Sequence, residues 1–128
     1  MAVVATSKGV QISPRKVTVV AALVRGHSVI NALEILKHTP RRAAIPVLKT
    51  IESAKSNAEY NHNYKPDSLN IVEISVTPGR RLKRFKPASR GRAQPFQIKS
   101  SHIRVVVDGE KREVKKPVSK ETVTKEKA

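Results

Sequence analysis

The 128-residue chain has no cysteine and no tryptophan, and aromatic residues make up only 3% of it. Without cysteine there is no disulfide framework and no thiolate metal site. With few aromatics and 38% apolar residues overall, the core must be aliphatic and modest. No apolar run approaches the ~18 residues that a membrane-spanning helix needs. Ala2–Ala5 is too short for the apolar centre of a secretion signal, and no basic region precedes it. A cytosolic location without a membrane partner is therefore expected. His27, His38, His62 and His102 show no metal-ligand spacing. There is no glycine-rich phosphate loop and no nucleophile elbow, and Glu34, Glu52, Glu59, Asp67 and Glu73 are scattered rather than clustered. Nothing here supports catalysis, a cofactor or a metal, so the chain is expected to be no enzyme.

Acid is also scarce. Against 26 lysines and arginines stand 10 aspartates and glutamates, a formal charge of +16. Such an excess calls for a polyanionic partner, nucleic acid before anything else. The charge is concentrated rather than spread. Residues 1–73 carry ten bases and five acids, and residues 108–128 seven and five. Residues 74–107 carry nine bases (Arg80, Arg81, Lys83, Arg84, Lys86, Arg90, Arg92, Lys99 and Arg104) and no acid. Charge that served only solubility would be interspersed with acids. An acid-free run is instead suited to phosphates, whose counterions it releases on binding. Arginine adds bidentate phosphate bonds and stacking. Phe85 and Phe96 lie inside this run, placed either to stack on unpaired bases or to pack on each other.

The length suits one domain. Val3 to Ile12 reads as a short strand interrupted near Gly9. Ser13-Pro14 is a cap-then-proline helix start, and Val17, Val20, Ala21 and Val24 then form one apolar face, with Gly26 as the stop. A second helix opens at Ser28, with Ile30, Leu33 and Leu36 inward. A third is expected from Thr39-Pro40 towards Asn61, with Ala44, Val47, Leu48, Ile51, Ala54 and Ala58 inward; Pro46 implies a kink or a later start. Asn61–Asp67 reads as a turn. Val72 to Thr77 alternates as a strand with Val72, Ile74 and Val76 inward, and Ile103 to Val107 is its partner with Ile103, Val105 and Val107 inward. The 25 or so residues between them are too many for a structureless loop in a compact domain. They read instead as a two-stranded ribbon turning at Pro87-Ala88-Ser89-Arg90-Gly91 and reaching on the order of 30 Å. Alone, such a ribbon is marginally stable, so a partner must hold it. Pro95 predicts broken or bulged pairing in the returning limb. Residues 109–128 have the composition of a disordered charged tail.

Arg15-Lys16 and Arg41-Arg42 both fall at an expected helix start, where cations oppose the helix dipole. The placement suits a phosphate held between the cations and the free N–H groups of the helix.

The chain resembles the bacterial large-subunit ribosomal protein twenty-two family. The likeness is carried by Ile12-Ser13-Pro14-Arg15-Lys16-Val17, by Arg25-Gly26, by Ala32-Leu33-Glu34-Ile35-Leu36-Lys37 with Thr39-Pro40-Arg41-Arg42-Ala43-Ala44, by Ser53-Ala54 and by Asn57-Ala58-Glu59-Tyr60-Asn61-His62. More specific still are Leu82-Lys83-Arg84-Phe85-Lys86-Pro87 with Gly91-Arg92-Ala93, and Ser101-His102-Ile103-Arg104-Val105-Val106-Val107. The resemblance implies an α+β fold: a small antiparallel β-sheet packed on three α-helices, with a long projecting β-hairpin. It places the domain at residues 1–108 and the hairpin arm at about 77–103. It implies a structural constituent of the large ribosomal subunit, ribosome-bound in the cytoplasm. The partners it implies are large-subunit rRNA, neighbouring large-subunit proteins and the nascent polypeptide in the exit tunnel, with no homo-oligomer. The rRNA-binding residues expected on this chain are Arg15, Lys16, Arg41, Arg42, Arg80, Arg81, Lys83, Arg84, Lys86, Arg90, Arg92, Lys99 and Arg104. The expected tunnel tip is Arg84, Phe85, Lys86, Pro87, Ala88, Ser89, Arg90, Gly91 and Arg92. The returning limb, Gln94-Pro95-Phe96-Gln97-Ile98-Lys99, is less basic than the family pattern. An alternative is an architectural DNA-binding protein whose β-arms enter the minor groove with Pro87 or Pro95 as a wedge.

Overall fold

The first apolar face read from the sequence is buried as its spacing demands. Val17, Val20, Ala21 and Val24 on helix α1 (Pro14–Val24) are all fully buried. The computed structural model describes residues 2–113. Within them follow α2 (Val29–His38) and α3 (Ala44–His62), with strands β1 (Val3–Val10), β2 (Asn70–Pro87) and β3 (Ala93–Asp108). The three strands form one antiparallel sheet in the order β1-β3-β2. Helix α1 packs against β2, α3 against β1 and β3, and α2 against α3. The fold is α+β, as expected. The central strand β3 turns Ile103, Val105 and Val107 into the core, opposite Val76, Ile74 and Ile71 of β2. Each such side chain contributes roughly 1.5–3 kcal/mol by leaving water.

Three elements differ from the sequence reading. In α2 the buried residues are Val29, Ala32 and Leu36, whereas Ile30 is 38% exposed and Leu33 half-buried. The phase is set at the helix start. The Val29 N–H donates to the Leu69 carbonyl (2.9 Å) and the Ile71 N–H donates to the His27 carbonyl (3.0 Å), which turns Val29 inward. Ala32 and Leu36 follow at three and seven residues on. These bonds, with the Arg25 guanidinium donating to the Ile74 carbonyl at 3.0 Å, also cover the free edge of β2.

Helix α3 starts at Ala44, not at Thr39-Pro40. Thr39 ends α2 instead, its hydroxyl donating to the Ile35 carbonyl at 2.7 Å. The late start places Pro46 at the third helical position, within the first turn, where its missing N–H would have had no helical partner.

In β2, Ile71 and Ile74 are buried and Val72 is 61% exposed. The pairing with β3 shifts by one residue between Ile71 and Glu73, a bulge that lets two odd-spaced isoleucines share the core face.

Asn63, in the left-handed conformation, ends α3. The segment after Asp108 begins bonded to this corner: the Lys65 N–H donates to the Glu110 carbonyl at 2.9 Å, and the Arg112 N–H to the Asn63 carbonyl at 2.7 Å. The tail expectation for residues 114–128 lies outside the described residues.

Beyond the core, β2 and β3 continue as a two-stranded arm, paired from Arg81↔Lys99 to Pro87↔Ala93. Pro95 pairs with Phe85 and no register shift occurs there, contrary to the expected break. Here β3 has no second neighbour, so a proline nitrogen can face the open edge without removing a ladder bond. The turn is Ser89–Gly91, closed by the Ala88 N–H donating to the Arg92 carbonyl at 2.8 Å, with Arg90 (φ 59°) and Gly91 (φ 66°) left-handed.

Candidate RNA interface

The irregularities of the arm lie at its root. Between Pro78 and Arg81, β2 carries one residue more than β3; between Ser7 and Val10, β1 does the same on the other side. Gly79 occupies the first bulge, where a Cβ would stand 2.6 Å from the Ser100 hydroxyl oxygen and 3.2 Å from the His102 ring. In the second, the Gly9 N–H donates to His102 Nδ1 at 2.9 Å. The β2 bulge has a chemical consequence. Side chains alternate across a strand, so an extra residue exchanges the two faces beyond it. Ile74 and Val76 face the helices, and after the bulge the same face continues as Arg81, Lys83, Phe85 and Pro87. Across the ribbon it carries Lys99, Gln97, Pro95 and Ala93. The opposite face carries Leu82, Arg84 and Lys86 beside Ile98, Phe96 and Gln94.

Two hollows meet at the start of α1, and the second reaches the root of the arm. A cleft of about 480 Å³ is lined by Gln11, Ile12, Ser13, Lys16, Arg41, Arg42 and Ala43. It brings Lys16 together with Arg41 and Arg42, which lie beyond a whole helix in sequence. A smaller groove of about 150 Å³ is lined by Ser13, Pro14, Arg15, Pro78, Arg81, Lys99 and Ser100. Ser13 belongs to both. It stands at the N-cap of α1, yet its side chain makes no capping bond, contrary to the sequence reading. Pro14 has no N–H and the Lys16 N–H donates to the Ser13 carbonyl at 3.1 Å, so the Ser13 hydroxyl and the Arg15 N–H are what the first turn of α1, which has no acid, offers beside the cations. The result is a basic track: Arg41, Arg42 and Lys16, then Arg15, then Arg81 and Lys99, then Lys83.

The other expected binding residues are placed differently. Arg41 and Arg42 precede α3 rather than sitting in its first turn. Arg84 and Lys86 face away from the track, and Arg90 and Arg92 are exposed in and beside the turn. Arg80 lies in the bulge, its carbonyl accepting from the Ser100 hydroxyl at 2.6 Å. Arg104 is apart from the rest, on the outer face of the sheet between Thr6 and Ser75. The sequence reading missed Gln11, Ile12 and Ser13 as cleft-lining residues. Their only signal was adjacency to Arg15-Lys16.

Phe85 and Phe96 lie on opposite faces and do not pack on each other. The Lys86 ammonium sits 5.4 Å from the centre of the Phe96 ring, a cation–π contact. Among the described residues no group of three or more acids, histidines or cysteines is placed to hold a metal, and no helix is long and apolar enough to cross a membrane.

The described residues thus form a small α+β body with one long basic arm. The family model for ribosomal protein L22p/L17e matches residues 5–108. Similar proteins named large ribosomal subunit protein uL22 come from Clostridioides difficile strain 630 (47% identical, covering 84% of this chain and 96% of that one) and Desulfitobacterium hafniense strain Y51 (48% identical, 80% and 90%). Another, from Oceanobacillus iheyensis, is 47% identical over 84% of this chain and 95% of its own. The chain belongs to the ribosomal protein L22p/L17e family, whose members are structural and not enzymatic.

Proposed function

We propose that the chain, a structural constituent of the large ribosomal subunit, binds large-subunit rRNA along the basic track and the arm. On this reading the tip, Arg84 to Arg92, helps line the exit tunnel and meets the nascent polypeptide. The protein acts as a single copy, ribosome-bound in the cytoplasm, beside other large-subunit proteins. The observation that carries the proposal is the continuity of the track. Residues far apart in sequence (Lys16, Arg41 and Arg42 in the cleft, Arg15 with Arg81 and Lys99 at the arm root) form one cationic path leading onto a ribbon that has no core of its own. A ribbon of this kind, basic on both faces, suits a groove or channel in RNA, where phosphates surround it.

Sucrose-gradient fractionation should place the protein stoichiometrically in the large-subunit peak; absence from that peak would refute the reading. The triple variant Lys16→Gln, Arg41→Gln, Arg42→Gln should lower the dependence of log affinity on log salt by about 2–3, from roughly 0.7–0.9 per phosphate contact. An unchanged slope would remove the cleft from the interface.

A further inference from the structure

The helix-side face of the arm changes character along its length. Near the root it presents Arg81 with Lys99 and then Lys83 with Gln97. Near the tip it presents Phe85 opposite Pro95 and Pro87 opposite Ala93, an apolar square of four exposed residues. The basic track thus runs directly into an uncharged patch. Phe85 is 68% exposed, and among the described residues no cation or aromatic ring sits over it. Phe96, by contrast, is 37% exposed and already carries the Lys86 ammonium on its ring.

We infer that Phe85, backed by Pro95, is a stacking platform for one unpaired base of the RNA strand whose phosphates follow Arg15, Arg81, Lys99 and Lys83. This rests on the RNA-binding reading and adds to it a defined subsite. A strand held by its phosphates along the track carries its bases within reach of the patch. A base face is the uncharged part of a nucleotide, matched to an uncharged ring. The flat ring ordered by a neighbouring proline loses little freedom on stacking. Phosphate contacts alone leave this patch uncovered, because an aromatic ring and two prolines offer nothing to a phosphate. Stacking on a ring is tolerant of base identity, so the subsite selects unpaired RNA rather than a sequence.

The test uses the full chain and protein-free large-subunit rRNA in filter binding, at salt concentrations between about 50 and 200 mM. Phe85→Ala should weaken binding roughly five- to hundredfold, the range seen when a stacking aromatic is truncated, with the salt slope unchanged. Phe85→Trp should retain affinity, and Phe85→Leu should lose most of it, since leucine keeps apolar area without a ring face. Phe96→Ala should have the smaller effect. Ultraviolet cross-linking should attach a nucleotide at Phe85. If Phe85→Leu binds as well as the parent, the patch packs against an aliphatic surface such as another protein, and the inference is overturned. A triple change of Arg81, Lys83 and Lys99 to Gln separates the two readings. If it lowers the salt slope while Phe85→Ala has no effect, the platform alone fails. If it leaves the slope unchanged, the RNA-binding reading of the arm fails as well. Far-UV circular dichroism checks folding, which an exposed arm residue should not disturb.

Discussion

Replacing Gly79 by alanine tests whether crowding at the arm root is set by one neighbour. A Cβ there would stand 2.6 Å from the Ser100 hydroxyl oxygen and 3.2 Å from the nearest His102 ring atom. The backbone at Gly79 is not left-handed, so space rather than torsional strain decides the result. The Ser100 hydroxyl now donates to the Arg80 carbonyl at 2.6 Å. Alanine at 79 forces Ser100 either to give up that bond, at about 0.5–1.5 kcal/mol, or to hold a distorted rotamer, at about 0.5–1.5 kcal/mol. The lower entropy of alanine in the unfolded chain offsets about 0.4–1 kcal/mol. The net expectation for Gly79→Ala is a loss of about 0.3 kcal/mol, or about 1 °C in Tm for a domain of this size, with an upper limit of about 1 kcal/mol. In a Ser100→Ala background the obstructing oxygen is gone, and the same change should be neutral or slightly stabilising. Thermal melts of the parent, the two single variants and the double variant close the cycle. Equal losses from Gly79→Ala in both backgrounds would refute the argument and put the obstruction at His102 or the backbone.

Ile74→Ala should cost about 2–5 kcal/mol, whereas Val72→Lys should change stability by less than about 0.5 kcal/mol; urea unfolding that ranks them the other way would rule out the bulge at Val72. The Ser101 hydroxyl is buried with no hydrogen-bond partner among the described residues, so Ser101→Ala should be neutral or stabilising, and a loss above about 1 kcal/mol in the same assay would reveal a partner. Tyr64 is buried, and burial, then the nearby Asp108 carboxylate, raises its phenol above the ordinary value. The folded state therefore keeps the proton where the unfolded chain loses it. This contribution is full below about pH 10 and disappears as pH rises through the higher folded value. Tyr64→Phe should flatten the alkaline fall of Tm, and a profile parallel to the parent's would count against the assignment.

What could be read from the sequence was local. The valines of α1 at three- and four-residue spacing and the alternation of Ile103, Val105 and Val107 each carry their own period, and the acid-free run marked the arm. What escaped depended on partners. Alternation cannot register a bulge, so it puts Val72 in the place of Ile71. Either of two phases of α2 gives an apolar stripe, and only the bonds to Leu69 and Ile71 choose Val29 and Ala32. Thr39-Pro40 has the residues of a helix start, but Thr39 was needed to end the helix before it. The cleft joins Lys16 to Arg41 and Arg42, a tertiary event with no sequence signal. The separation of Phe85 from Phe96 hangs on turn length: a turn one residue longer, pairing Pro87 with Gln94, would set the rings opposite each other.

The central strand has a role that reaches beyond packing. Residues 93–108 form one uninterrupted strand serving both as the middle of the sheet and as the returning limb of the arm. The arm has little hydrophobic preference of its own and would slip readily if it paired in isolation. Within β3 a slip of one residue would turn Ile103, Val105 and Val107 out of the core together. The folded body therefore acts as a template that dictates to the arm which side chains face which way, before any RNA is present to do so. Proofreading of the arm is thereby done by the core, tens of ångströms from the tip at ~3.3 Å per residue.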